Sequence, residues 1–126
     1  MKVNNITDIK WMKRAISLAS LGKGSTSPNP MVGALVLDKN GNLLSEGFHY
    51  KSGMAHAEGM AFDNLTKDAK GGTLYVNLEP CCHKGKTPPC VDRIIASGLK
   101  KVFVSIKDPD KRVSGKGIKI LKDAGI

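Results

Sequence analysis

The stretch Leu78-Glu-Pro-Cys-Cys-His-Lys-Gly-Lys-Thr-Pro-Pro-Cys90 decides the fold of this chain. All three cysteines of the chain lie within it, at Cys81, Cys82 and Cys90. An odd number of closely spaced cysteines, behind an N-terminus without the apolar stretch of a secretory signal, argues against a disulfide framework. We therefore expect this segment to bind a metal or to carry thiol chemistry.

Predicted strands and helices alternate on both sides of this segment. Residues Thr73–Leu78 have the apolar, β-prone composition of a strand, and a helix is predicted from Pro88 to Ser97, with both prolines in its first turn. The spacing of apolar residues predicts further helices at 9–21, 55–65 and 117–123 and further strands at 32–37, 43–49 and 101–106. We expect Asp8 to cap the first helix and Asn40-Gly41 to turn the hairpin. This order predicts one α/β domain, residues 1–126, with a mixed sheet covered on both faces.

The composition favours an anionic partner and excludes a membrane protein. Twenty basic and eleven acidic residues give a formal net charge of +9, which suits nucleic acid, nucleotides or sugar phosphates. Lysines that only keep the surface soluble are the alternative. Aromatic residues are too few for a surface that stacks single-stranded nucleic acid, so we expect a small phosphorylated molecule instead. No apolar run approaches the roughly 18 residues of a membrane span, and we predict a cytoplasmic protein without a membrane partner.

A second motif, His56-Ala-Glu58, opens a predicted helix and completes a metal site with Cys81 and Cys90. One imidazole and two thiolates leave the fourth tetrahedral position of zinc for water, as a catalytic site requires. Zinc lowers the pKa of its bound water to about 7, and Glu58 is placed to move the proton to a departing nitrogen. His-x-Glu followed by Pro-Cys is the signature of zinc deaminases that act on nucleobases. Here eight residues separate the two cysteines instead of two.

Other interpretations of these residues stay open. His-x-Glu alone is common, and a lone cysteine is usually a small core residue, so the prediction depends on the combination. Cys82 competes with Cys81 as a ligand, and we interpret it as a bystander thiol. A structural zinc site needs a fourth protein ligand, for which His83 is an awkward candidate because it lies so close to the cysteines in sequence.

These motifs resemble one family closely, the deaminase domain of the bacterial bifunctional riboflavin-biosynthesis protein, or diaminohydroxyphosphoribosylaminopyrimidine deaminase. The resemblance covers nearly the whole chain, and Thr87-Pro-Pro-Cys90 is its most specific part. It also rests on the segments Thr26-Ser-Pro-Asn-Pro-Met-Val-Gly33, Thr73-Leu-Tyr-Val76, Gly117-Ile118 and Ala124-Gly-Ile126. It implies a three-layer α/β/α fold like that of cytidine deaminase. Cytidine and transfer-RNA adenosine deaminases look more distant because they use the short Cys-x-x-Cys spacing.

The resemblance also implies a reaction, the zinc-dependent hydrolytic deamination of 2,5-diamino-6-ribosylamino-4(3H)-pyrimidinone 5′-phosphate with release of ammonia. It implies substrate contacts at Asn29, His49, His83 and Lys86. Asn29 lies between two prolines and presents a rigid amide, and Lys86 offers a cation to a phosphate or a polar ring atom. A turn former at Asn29 and a surface histidine at His49 are the alternatives.

The chain departs from the family in two places. The usual Asp-Pro-Asn-Pro reads Asp108-Pro-Asp-Lys111 here, so we expect one loop near the site to contact the substrate differently. The family's reductase domain, which uses NADPH, is absent, and Gly115-Lys-Gly117 is too short to be a dinucleotide-binding motif. A further strand would be natural after Gly125. We therefore expect a fragment of a longer bifunctional chain, without the last strand of its sheet, that only deaminates and forms a homo-oligomer.

Two rival functions remain. One is a deaminase of free cytidine nucleotides or of a base in RNA, which the net charge allows and the Thr87-Pro-Pro-Cys90 segment argues against. The other is a zinc-stabilised binding module without catalysis, in which Glu58 would be dispensable.

Overall fold

The computed structural model describes residues 6–22, 31–49, 56–82, 89–109 and 114–126. Within them the chain order is α1 (Ile6–Ser20), β1 (Gly33–Leu37), β2 (Leu43–Phe48), α2 (Ala57–Asp63), β3 (Thr73–Leu78), α3 (Cys90–Ala96), β4 (Lys101–Ile106) and α4 (Lys116–Asp123). The bounds of β3 and β4 match the predicted ones, and the other bounds differ from prediction by at most three residues. None of the described helices is long and apolar enough to cross a membrane.

The four described strands form one mixed sheet in the order β2-β1-β3-β4. Strand β1 is antiparallel to both β2 and β3, whereas β3 and β4 are parallel. The hairpin between β1 and β2 closes because Asp38 Oδ1 accepts the backbone N–H groups of Asn40 and Asn42 and Gly41 takes a φ of 87°. The parallel pair needs a crossover, and α3 supplies it.

The sheet is buried on both faces, so the predicted three-layer arrangement is confirmed. One face packs against α1 and the other against α2, α3 and α4, as the two apolar clusters show. The cluster on the first face contains Met12, Ala15, Leu18, Leu35, Leu37 and Tyr75. The cluster on the second includes Ala34, Val36, Ala61, Leu74, Val76, Ile94 and Leu121. Alternate residues of β1 thus point to opposite faces, as the pleat of a strand requires.

Two glycines let a helix lie directly on the β1–β2 hairpin, one on each face. A Cβ atom on Gly33 would lie 2.0 Å from the carbonyl oxygen of Ala15 in α1. A Cβ atom on Gly47 would lie 2.4 Å from the carbonyl oxygen of Ala57 in α2. Only a residue without a side chain permits such a close approach of two backbones.

Two predicted helix starts are wrong in detail. Asp8 lies inside the first turn of α1 rather than before it, and its carboxylate accepts a hydrogen bond from the Tyr75 hydroxyl. Pro89 is not in the first turn of α3, because it has an extended ψ of 141° and precedes a helix that begins at Cys90; Pro88 lies outside the described residues. This start places the Cys90 side chain at the N-terminal end of α3.

Candidate active site

The ends of three elements bring His56, Cys81 and Cys90 together. His56 precedes α2 with an extended backbone, Cys81 follows β3 by three residues, and Cys90 is the first residue of α3. The Nδ1 atom of His56 lies 3.5 Å from Cys81 Sγ and 3.4 Å from Cys90 Sγ. The nitrogen and the two sulfurs all lie within 4.8 Å of one another.

Backbone hydrogen bonds fix the two thiols relative to each other. The backbone N–H of Cys90 donates to Cys81 Sγ at 3.3 Å, and the N–H of Val91 donates to the Cys81 carbonyl at 3.2 Å. The neighbouring Cys82 instead packs against the apolar core, which agrees with its interpretation as a bystander thiol. His83, the awkward fourth ligand of a structural zinc site, lies outside the described residues.

One proton is shared unequally between the two thiols. The hydrogen bond between the Cys90 thiol and Cys81 is the largest cause that lowers the pKa of Cys81, and with the smaller contribution of His56 it brings this pKa to about 4. The same bond, together with burial, raises the pKa of Cys90 above its ordinary value. The hydrogen bond with Cys81 also raises the pKa of His56. The cluster therefore stabilises a thiolate, the form of cysteine that binds metal.

Glu58 lies in the first turn of α2 beside this cluster and is only 4% exposed. Burial raises the pKa of its carboxyl group to about 7, and the negative charge of Cys81 adds to the effect. His56 and Cys90 lower the pKa of Glu58 by smaller amounts. A carboxyl group poised near neutral pH suits proton transfer in both directions.

His49 borders the cluster from the end of β2. Its ring is perpendicular to that of His56, with centroids 5.7 Å apart, and the residue is only 3% exposed. The alternative of a surface histidine at this position is therefore wrong. The other predicted substrate contacts, Asn29, His83 and Lys86, lie outside the described residues, and so does the Asp110-Lys111 departure.

The geometry of the three side chains fits a zinc ion. Tetrahedral zinc, with bonds of about 2.3 Å to sulfur and about 2.0 Å to nitrogen, places its ligand atoms roughly 3.5 to 3.8 Å apart. The two nitrogen–sulfur distances of 3.4 and 3.5 Å are close to that separation. A mixed set of imidazole and thiolate donors is also one that zinc prefers.

The cytidine and deoxycytidylate deaminase zinc-binding region, a known protein family, matches residues 5–106 of this chain. The chain belongs to this deaminase family. Within the family it is 50% identical over 116 residues to the diaminohydroxyphosphoribosylamino-pyrimidine deaminase of Buchnera aphidicola subsp. Schizaphis graminum. That match covers 92% of this chain and 78% of the relative. The predicted class of enzyme, a zinc-binding pyrimidine deaminase, is thereby confirmed.

The riboflavin biosynthesis protein RibD of Haemophilus influenzae is 50% identical over 119 residues, which are 94% of this chain and 32% of that relative. A solved structure of RibD from Acinetobacter baumannii superimposes with a TM-score of 0.91 at 48% identity, over 95% of this chain and 34% of that one. The deaminase described here thus spans about a third of the length of these RibD relatives. The predicted resemblance to the RibD deaminase domain and the cytidine-deaminase-like fold are both confirmed.

Sequence reasoning missed the role of Glu79, which precedes Pro80 and Cys81. Its buried carboxylate accepts the backbone N–H groups of Asp108, Gly115 and Ile118 at 3.1, 2.8 and 3.2 Å. Two of these groups belong to the start of α4, whose own N-cap is a glycine without a capping side chain. The absence of a capping side chain at the start of α4 was the sequence signal for this contact, because the unpaired N–H groups of a helix start need an acceptor from elsewhere in the chain. Glu79 thereby anchors α4 in this deaminase to the strand end that carries Cys81.

Asn77 was also missed. Its Oδ1 atom accepts the N–H of Gly33 at 2.9 Å, and its Nδ2 group donates to the Met31 carbonyl at 3.1 Å. One side chain on β3 therefore holds the backbone just after Pro30, at the end of the segment that contains the predicted substrate contact Asn29. A single asparagine in a strand gave no sequence signal for this contact.

Proposed function

We propose that this chain catalyses the zinc-dependent hydrolytic deamination of 2,5-diamino-6-ribosylamino-4(3H)-pyrimidinone 5′-phosphate, with release of ammonia, in riboflavin biosynthesis. The observation that carries the proposal is the convergence of His56, Cys81 and Cys90 beside the buried carboxyl group of Glu58. The choice of substrate is supported by the name of the Buchnera relative, a diaminohydroxyphosphoribosylamino-pyrimidine deaminase at 50% identity.

In this proposal the Nδ1 atom of His56 and the Sγ atoms of Cys81 and Cys90 hold the zinc ion. A zinc ion with three protein ligands acts as a Lewis acid and lowers the pKa of water at its open position. The shared proton of the two thiols must leave before both can act as thiolate ligands, so metal binding should release protons and weaken in acid.

Glu58 serves as the general base and then as the general acid. Its carboxylate takes a proton from the attacking water as a new C–O bond forms at the ring carbon that bears the amino group, and it passes this proton to the adjacent ring nitrogen as the C=N double bond opens. It then takes the proton of the new hydroxyl group and gives it to the amino nitrogen, so that a C=O bond forms as the C–N bond breaks and the nitrogen leaves as ammonia. The burial that raises the pKa of Glu58 to about 7 makes both transfers feasible near neutral pH.

The substrate side of the site is proposed to include His49, Asn29, His83 and Lys86. The burial of the His49 ring next to His56 supports a contact between this residue and a bound pyrimidine. Lys86 would contribute a positive charge, and the formal net charge of +9 favours a phosphorylated substrate over a neutral one.

An assay of ammonia release on four substrates tests the assignment. The zinc-loaded chain is given the ribosylaminopyrimidinone phosphate, cytidine, dCMP and transfer RNA at matched concentrations. We expect turnover of the pyrimidinone phosphate alone, and dephosphorylation of that substrate should reduce kcat/KM. Turnover of dCMP or transfer RNA without turnover of the pyrimidinone phosphate would contradict the proposal and support the rival deaminases.

A further inference from the structure

The distance between His56 and the two thiols depends on how α2 is held against α3. Cys81 and Cys90 are tied to each other by backbone hydrogen bonds across the first turn of α3, so they move as one unit. His56 and Glu58 belong to a different unit, since His56 precedes α2 and Glu58 lies in its first turn. Helix α2 packs mainly on β2 and β1 and contacts α3 over only a short stretch.

Arg93 spans this short contact. It lies one turn after Cys90 in α3, and its guanidinium reaches three positions on one side of α2. Its Nη1 donates to the carbonyl of Gly59 at 3.3 Å, and its Nη2 donates to Asp63 Oδ1 at 2.9 Å. Its central carbon lies 5.4 Å from the centre of the Phe62 ring. Gly59, Phe62 and Asp63 have the i, i+3, i+4 spacing of neighbours on a helix surface.

We propose that Arg93 is a positioning residue, which sets the spacing of α2 and α3. It thereby keeps His56 and Glu58 at the distance from Cys81 and Cys90 that a zinc site requires. This inference rests on the proposed function, because it assumes that these side chains bind zinc. The planar fork of arginine is essential to the arrangement: it directs two donors to two fixed acceptors while its face covers an aromatic ring. A lysine at this position would offer one point charge and reach only one acceptor at a time.

The contacts of Arg93 are more than those of an ordinary surface ion pair. The carboxylate of Asp63 is 64% exposed, and such a pair contributes little to the free energy of unfolding. The Gly59 carbonyl and the Phe62 ring, in contrast, are fixed parts of α2 immediately beyond Glu58. The loss of Arg93 should therefore affect metal retention more than global stability.

The chain offers a matched control in Arg14 of α1, which donates two hydrogen bonds to the Glu46 carboxylate of β2. Arg14 and Arg93 both lie in helices and both pair with a carboxylate, at side-chain exposures of 51% and 40%. Arg14 lies on the α1 side of the molecule, away from the zinc site. The variants Arg93→Met and Arg14→Met thus remove equivalent groups, and their changes in helix propensity cancel.

The experiment measures zinc release from the zinc-loaded chain into an excess of a chromogenic chelator, for wild type, Arg93→Met, Arg93→Lys and Arg14→Met. The Co²⁺-substituted forms are compared by their visible absorption, which reports ligand geometry, and all forms are compared by Tm. We expect Arg93→Met to release zinc about 10 times faster than wild type, since removal of residues that orient metal ligands directly costs about 10- to 100-fold in metal affinity and Arg93 acts on His56 only through α2. Arg93→Lys should fall between the two, and Arg14→Met should match wild type.

Zinc release from Arg93→Met at the wild-type rate would overturn the inference, and so would an equal acceleration in Arg14→Met. If Arg93→Met does not fold, the zinc release rate of Arg93→Lys is compared with that of wild type instead, and an unchanged rate overturns the inference. A wild-type chain that binds no zinc would instead refute the proposed function, whereas a wild type that binds zinc and deaminates confines any failure to the role of Arg93.

Discussion

On one face of the sheet, α1 rests against Gly33 and its Arg14 pairs with Glu46; on the other, α2 rests against Gly47 and its Asp63 pairs with Arg93 of α3. Among the described residues, the cluster buried under α1 is apolar apart from the Tyr75 hydroxyl, which donates to Asp8. The α2 face buries Glu58 and Glu79 and contains the His56, Cys81 and Cys90 group.

The two faces share features that stabilise the fold but differ in their proposed chemistry. Both have a glycine that contacts a helix backbone and an arginine–carboxylate pair, so these features stabilise the fold and are not specific to the reaction. On the α2 face they have a second role, because the helices that they position carry the proposed zinc ligands. Equivalent substitutions on the two faces should therefore lower stability alike and affect zinc binding differently.

The largest expected effect concerns the cysteines. Cys90→Ser should lower zinc content well below one per chain and abolish ammonia release, because a neutral hydroxyl replaces a thiolate ligand. Cys82→Ser is the matched control, since its thiol packs against the core rather than joining the cluster. Elemental analysis of the purified variants measures the metal. Retention of zinc by Cys90→Ser, or its loss from Cys82→Ser, would show that the ligands are wrongly assigned.

The glycine pair gives the next largest effect. A methyl group at Gly33 or Gly47 collides with backbone atoms of a helix at 2.0 or 2.4 Å, and either alanine variant should lose about 3 kcal/mol of unfolding free energy, the upper range for overpacking. Urea denaturation followed by circular dichroism measures this loss.

Only the Gly47 variant should also bind zinc more weakly, because the collision displaces α2 next to His56. A Gly33→Ala variant that weakened zinc binding as strongly as Gly47→Ala would contradict the prediction that only the α2 face affects the metal.

Removal of the Glu79 carboxylate should lower the free energy of unfolding by somewhat less than the glycine substitutions do. Glu79→Ala leaves three partly buried N–H groups without their acceptor, and we expect a loss of about 2 kcal/mol in the free energy of unfolding, because the start of α4 can partly re-solvate. Glu79→Gln keeps one oxygen acceptor and should lose less than Glu79→Ala. Thermal unfolding of both variants in the presence of a chelator tests this order, and the reverse order would refute the capping role.

The smallest effect concerns pH and the Arg14–Glu46 pair. The hydrogen bond from Arg14 lowers the pKa of Glu46 below its ordinary value. The pair therefore contributes stability above about pH 4.3, the ordinary pKa of glutamate, and loses it as the pH falls through the lowered pKa. The Tm of Arg14→Met should be lower than that of wild type by at most about 3 °C at pH 7.

This difference should disappear in strong acid, where Glu46 is protonated in both forms. Differential scanning calorimetry from pH 7 to pH 3 measures the two Tm values. A Tm difference that grew as the pH fell would contradict the stabilising role of this pair.

The sequence predicted those features that short segments encode. The strands β3 and β4 were predicted to the residue because apolar, β-prone runs stand between turn residues. The motifs His56-Ala-Glu58 and Pro80-Cys81 led to three side chains that the structure places within 4.8 Å of one another. The start of α3 was mistaken because an extended Pro89 was read as helical.

The long-range polar contacts could not be predicted. Arg93 meets Gly59 and Asp63 across 34 and 30 residues, and Glu79 meets its partners across 29 to 39 residues. Such contacts depend on the packing of whole elements, and no local pattern records them. Several assignments remain predictions: the catalytic role of Glu58, the substrate contacts at Asn29, His49, His83 and Lys86, the domain bounds 1–126, the homo-oligomer and the cytoplasmic location.

The central claim is that the α2 face holds a zinc ion and that Glu58 moves the proton. Its most direct test is to measure zinc content and ammonia release together for wild type and Glu58→Gln, with the pyrimidinone phosphate as substrate. We expect about one zinc per chain in both proteins and a loss of turnover of about 100-fold or more in Glu58→Gln, since general acid–base catalysis contributes a factor of about 10² to 10⁴ to the rate. Full turnover by Glu58→Gln with zinc bound would contradict it and favour a zinc-stabilised module in which this carboxyl group has no catalytic part.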